Sequence, residues 1–184
     1  MQSDEQLVAA ALDGLDGAFA ELVTRYQDRL LRFLLSRSVS RADAEDAVQD
    51  TFINAYRYLA SFDSRWRFST WIYRIAIRNA AGGRGAPTVD TDAEPVDDES
   101  DPLAACIAHS ERENVWTAAK RVLTDEAYAA LWLRYVEDLS VKEIAAALDR
   151  SQAWTKVTLL RCRRRLGEEL NAAPGAALGS ESYG

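Results

Sequence analysis

Apolar residues recur three and four positions apart through most of the chain, a spacing that predicts helices. Ser3 with Gln6 forms a capping-box pattern ahead of Leu7, Val8 and Leu12. A second helix is expected after Asp16, its buried face carrying Phe19, Leu22, Val23, Tyr26, Leu30, Phe33 and Leu34. Ser40 and Asp43 open a third, with Val48, Phe52, Ala55 and Leu59 in one apolar row and Asp46, Gln49, Asp50, Ile53 and Arg57 on another face. A fourth is expected to begin near Ser69 or Thr70 and to end by Gly82-Gly83, because paired glycines are poor helix formers.

The pattern then breaks. Residues 86–102 lack periodicity and hold three of the four prolines, which predicts a flexible tether. Periodicity resumes in a helix from about Pro102 to Val122 and in another capped by Thr124, carrying Leu131, Leu133 and Tyr135. Ser140 and Glu143 form a second capping box before Ile144, Ala145 and Leu148. Asp149-Arg150-Ser151 is a turn in which Asp149 tolerates a left-handed backbone. The final helix runs from Gln152 to about Leu170 with Thr155, Leu159, Cys162 and Leu166 inward, and the remainder from residue 171 is expected to be disordered. The expected fold is therefore all-α: two small helical domains, 1–85 and 103–170, joined by an acidic linker at 86–102.

Charge first points away from nucleic acid. The 184 residues carry 22 Lys and Arg against 29 Asp and Glu, a net charge of −7. Divided by segment, residues 1–85 are neutral, 86–114 carry −8 and 115–184 carry +1. The deficit thus belongs to the middle of the chain. Two windows contain no acid: Ser64–Val89 with five arginines, and Arg150–Gly167 with six basic residues.

In the first window, Arg65-Trp-Arg-Phe-Ser-Thr-Trp-Ile-Tyr-Arg74 interleaves aromatic and basic side chains. Unpaired bases stack on aromatic faces, for about 1–3 kcal/mol each, and cations follow the phosphates. Phe68, Trp71 and Ile75 have core spacing, whereas Trp66 and Tyr73 have less reason to be buried. In the second window, four arginines at 161, 163, 164 and 165 crowd like charges, which an anion would relieve. Two short helices around a tight turn, the second of them basic, describe a helix-turn-helix.

Other chemistry finds little support. Cys106 and Cys162 make no disulfide framework, and with His109 as the sole histidine no zinc set exists. Asp90, Asp92 and Glu94 resemble the start of a calcium loop, but Pro95 stands where its sharp turn needs glycine. No nucleophile–base pair, glycine-rich phosphate loop or membrane-length apolar run is present. A protein that is no enzyme, has no cofactor or metal, does not insert into membranes and resides in the cytoplasm is expected.

Several stretches resemble a known family. Ala18-Phe-Ala-Glu-Leu-Val-Thr-Arg-Tyr26, Arg29-Leu-Leu-Arg-Phe33, Asp43-Ala-Glu-Asp-Ala-Val-Gln-Asp-Thr-Phe52 and Phe68-Ser-Thr-Trp-Ile-Tyr-Arg-Ile-Ala76 look like region two of bacterial sigma factors. Leu133-Arg-Tyr-Val-Glu-Asp-Leu-Ser-Val-Lys-Glu-Ile-Ala145 with the helix after it looks like region four. A chain with these two regions alone resembles the extracytoplasmic-function (ECF) group.

The resemblance implies a sigma factor that binds core RNA polymerase, through the β′ clamp helices and the β flap, and directs it to promoter DNA. Asp46, Gln49, Asp50, Ile53 and Arg57 would contact polymerase. Arg65, Trp66, Arg67, Tyr73, Arg74, Arg78 and Asn79 would recognise and open the minus-ten element. Arg150, Ser151, Gln152, Lys156, Arg161, Arg163 and Arg164 would read the minus-thirty-five element. An anti-sigma partner would use the same surfaces. Many relatives carry asparagine where Arg78 stands, and their basic helix continues where this one meets Gly82-Gly83. Those departures motivate the alternative of a sigma-like adaptor that does not open DNA. Trp154 also departs from the pattern, and implies either altered minus-thirty-five specificity or a protein contact.

Overall fold

A computed structural model describes residues 2–37, 40–81 and 112–172, with the side chains of 112–114 excepted. The proposed linker, Arg84, Cys106, His109, the beginning of the helix expected from Pro102, and all but the first two residues of the tail lie outside them. Every regular element among the described residues is helical.

Helix α1 (Asp4–Leu12) starts at the Ser3–Gln6 capping box, and α2 (Ala18–Leu35) follows a tight connection ending at Gly17. Gly17 has φ +86°, a left-handed conformation that a side chain would strain. Helix α3 (Arg41–Arg57) begins where the Ser40 hydroxyl accepts the Asp43 N–H, and a 3₁₀ turn (Leu59–Ser61) leads towards α4 (Phe68–Ala80). Leu22, Tyr26, Leu30 and Phe33 of α2 and Phe52 and Ala55 of α3 are buried, and α4 packs against both helices.

The second group comprises α5 (Arg112–Val122), α6 (Asp125–Tyr135), α7 (Val141–Leu148) and α8 (Gln152–Ala172). Thr124 caps α6 and the Ser140–Glu143 box opens α7. Asp149 ends α7 at φ +57°, the left-handed backbone expected of it. Thr155, Leu159, Cys162 and Leu166 form the buried row of α8 and anchor it on α5, α6 and α7.

The two groups pack on each other. Phe33 meets Tyr73 edge-on at 5.3 Å and also approaches Trp132 of α6 at 5.9 Å between ring centroids, so one apolar core runs across the junction. Helix α4 lies between α3 on one side and α7 on the other. All nine residues from Phe68 to Ala76 are buried in consequence.

Candidate nucleic-acid interface

Helix α4 and the loop before it carry the described aromatic and basic residues of the first acid-free window. The core side of α4 behaves as the spacing implies. Phe68 meets Tyr26 at 5.3 Å and Trp71 meets Phe62 at 5.5 Å, both edge-on. Ile75 is buried with them.

The expectation that Trp66 and Tyr73 stay exposed is overturned, because α7 and the loop before it cover the other side of α4. Trp66 is buried, with the Lys142 ammonium 5.3 Å from its ring centroid. Tyr73 is fully buried and donates its hydroxyl hydrogen to Glu137 Oε1 at 2.5 Å. Burial foremost, and then the neighbouring Glu137 carboxylate, drives the Tyr73 phenol far above its ordinary pKa. Glu137 itself is only 2% exposed, and its second oxygen is ion-paired with Arg29 of α2.

The arginines fall into three situations. Arg65 is exposed and paired with Asp63, whose carboxyl it holds below the ordinary range through side-chain and backbone hydrogen bonds. Arg67 donates to the Asp138 carbonyl at 3.0 Å and lies 3.9 Å from Glu143. Arg74 is 6% exposed, reaches Asp149 at 3.5 Å and leaves its Nε without a hydrogen-bond partner. Burial lowers its pKa, with Asp149 opposing that shift. Further along α4, Arg78 and Asn79 are half-buried, and the Asn79 side-chain Oδ1 accepts from the Asn54 side-chain amide of α3 at 3.1 Å.

Helix α8 presents its face outward. Ser151 caps it by accepting the Trp154 N–H at 3.1 Å. Lys156, Arg161 and Arg164 are exposed, whereas Gln152 and Arg163 are half-buried on the flank. Ala153, Val157, Leu160 and Arg164 form the centre of the outward face, with Leu160 63% exposed. Arg150 pairs with Glu126 and lies 5.6 Å over the Trp154 ring. Sequence reasoning passed over Val157 and Leu160, although they fall between the basic positions at helical spacing.

A cleft of about 380 Å³ joins the two basic elements. Arg74 lines it from α4; Asp149, Arg150, Ser151 and Trp154 line it from the α7–α8 turn and α8. Residues expected at two separate promoter elements thus share one cavity. On α3, Asp46, Gln49, Asp50, Ile53 and Arg57 are all exposed, joined by Tyr56, which stacks edge-on against Phe19 at 5.0 Å. Arg29, Glu137, Glu143 and Asp149 were absent from the expected site. In sequence Glu143 reads as part of a capping box and Asp149 as a turn residue, and no local pattern links Arg29 to Glu137.

Among the described residues, no cluster of His, Cys, Asp and Glu could hold a metal, and no helix is long and apolar enough to cross a membrane.

The family model described as Sigma-70 region 2 matches residues 22–81, from α2 through α4. The chain is 33% identical over 181 residues to the ECF RNA polymerase sigma-E factor of Haemophilus influenzae, covering 91% of this chain and 95% of that one. It is 32% identical over 182 residues to the sigma-E factor of Escherichia coli strain K12, covering 91% and 94%. Among solved structures, CnrH in complex with the cytosolic domain of CnrY matches with a TM-score of 0.68 and 26% identity, over 94% of this chain and 99% of that one. The sigma factor RpoE of Bartonella quintana, solved with the anti-sigma factor NepR, shares the fold at TM-score 0.58 and 20% identity, over 85% and 99%.

Proposed function

Since this chain belongs to the ECF RNA polymerase sigma factors, we propose a division of labour among its three faces. It binds core RNA polymerase and directs promoter recognition and transcription initiation. Residues 1–85 supply polymerase binding and minus-ten opening, 86–102 connect, and 103–170 read the minus-thirty-five element. The exposed row of α3, Asp46 through Arg57, docks on the β′ clamp helices, and the second domain meets the β flap. Arg65 to Arg74, with Arg78 and Asn79, receives the opened strand. Helix α8 enters the major groove. The chain contributes no catalysis of its own and acts in the cytoplasm, where the polymerase is. An anti-sigma factor is a further partner, a reading in keeping with the fold shared with RpoE of Bartonella quintana, which was solved with the anti-sigma factor NepR.

The observation that carries this reading is the outward face of α8. Its inner row is anchored in the core while Lys156, Val157, Leu160, Arg161 and Arg164 stand exposed without an intervening acid. Phosphates require such cations, and base edges require a protruding helix face free of its own domain.

In vitro transcription with core polymerase on the promoter upstream of the chain's own gene tests it. Run-off transcript and permanganate-reactive thymines near minus ten are the expected result. Polymerase binding without an open complex would leave the adaptor reading instead.

A further inference from the structure

The cleft bordered by α4, α7 and the start of α8 has the lining of a small-ligand site. Its volume of about 380 Å³ falls within the range of about 300–1,000 Å³ usual for small-molecule pockets. Ala145 and Ala146 border it with short side chains, which leaves that space open. Its polar groups converge on an anion. Arg74 borders the cleft while only 6% exposed, and its Nε has no hydrogen-bond partner. A buried guanidinium left short of acceptors costs free energy that an anion's oxygens would recover. Ser151, which opens the 21-residue helix α8, borders the same space. The first N–H groups of a helix lack partners within it and form the positive end of its dipole, an arrangement that holds phosphate. Ser151 accepts the N–H of Trp154, and those of Gln152 and Ala153 come before it.

Two neighbouring charges change little. The Asp149 carboxylate lies 3.5 Å from Arg74, but its side chain is 88% exposed, so water takes it up readily when another anion arrives. Arg150 is already paired with Glu126 and adds little net charge. The cleft also offers a ring. Trp154 departs from the family pattern, and its half-buried indole borders the cleft with Arg150 lying 5.6 Å over it. Planar heterocycles stack on such a face.

We propose that this cleft binds a mononucleotide, with the phosphate between Arg74 and the N-terminus of α8 and the base against Trp154. The inference goes beyond the promoter-reading function and does not depend on it.

The test titrates the full chain with AMP, GMP, inorganic phosphate and adenosine, read by calorimetry and by amide and indole NMR shifts. One AMP or GMP per chain should bind, saturating below about 1 mM. Phosphate and adenosine should each bind at least about tenfold more weakly, since each lacks one of the two contacts. Trp154→Ala should weaken nucleotide binding about tenfold and leave phosphate binding unchanged. Arg74→Met, which keeps the packed stem, should weaken nucleotide and phosphate binding alike by about tenfold or more. Arg74 is buried, so the shifts of the unsubstituted chain serve as a second measurement that needs no variant. The largest are expected at the Gln152 and Ala153 amides and the Trp154 indole N–H.

A chain that neither AMP nor GMP saturates overturns the proposal. So do phosphate binding as tight as the nucleotide's, largest shifts outside the cleft, and nucleotide affinity unchanged in Trp154→Ala. Failure of the sigma-factor reading would show in the transcription assay and leave these titrations as they are.

Discussion

The Tyr73 hydroxyl donates to the Glu137 carboxylate at 2.5 Å, joining the two helical groups through residues 64 apart in sequence. Both groups are buried, and Arg29 takes the other carboxylate oxygen. Hydrogen bonds to a charged group contribute about 1.5–3 kcal/mol. Tyr73→Phe should therefore lower the free chain's stability by about 2 kcal/mol. Urea denaturation should show a lower midpoint with an unchanged slope; an unmoved midpoint would mean that Arg29 alone holds Glu137.

Asp46 is exposed on the outer face of α3, so reversing its charge should leave folding intact. Asp46→Lys is expected to weaken core polymerase binding by about tenfold, as charge complementarity across an interface is inverted. Competition with labelled wild-type chain for core enzyme measures this, with the urea midpoint as the folding control.

Trp66 should act at a different step. Loss of one stacking platform costs about 1–3 kcal/mol, so Trp66→Ala should reduce promoter opening by on the order of tenfold or more while core binding is kept. Permanganate reactivity and core competition, run on the same preparation, separate the two. Equal loss in both assays would contradict the division of labour between α3 and α4.

The two flanks of α8 should differ in kind. Lys156→Ala, removing a phosphate cation, should weaken minus-thirty-five binding of the holoenzyme on all sequences and reduce the salt slope by about one. Val157→Ala and Leu160→Ala should leave that slope alone. Their loss is expected to fall on sequences presenting thymine methyl groups to the outward face. Filter binding across a salt series with thymine-to-uracil substituted promoters reads both effects.

Alkali should destabilise the chain. Burial pushes the Cys162 thiol from 9.0 up to about 11, and Tyr128 is also raised, chiefly by burial. A raised folded-state pKa means that the native state keeps protons which the unfolded state releases, so stability falls as pH rises above about 9. The urea midpoint should drop between pH 8 and pH 11, and Cys162→Ala should flatten part of that fall. Below pH 8 these groups are protonated in both states, and the midpoint should not respond to them.

Capping pairs, inward rows and turn residues could be read in the sequence because they depend on neighbours within four positions. Ser3 with Gln6, Ser40 with Asp43, Ser140 with Glu143, and the row Thr155, Leu159, Cys162 and Leu166 all stand where the pattern put them. The exposed α3 face and the two acid-free windows were legible for the same reason. Helix α4 was not, because its period marks one buried side and a second helix buries the other. What covers Trp66, Tyr73 and Arg74 is decided by α7 and by Glu137, some 60–75 residues further on. A charge sum over the chain likewise places the acidity in residues 86–114, yet the carboxylates lying against the basic face are Glu137, Glu143 and Asp149. Local sequence determined the helices and their faces; only tertiary packing decided which faces meet, because that depends on contacts between distant residues that no local periodicity encodes.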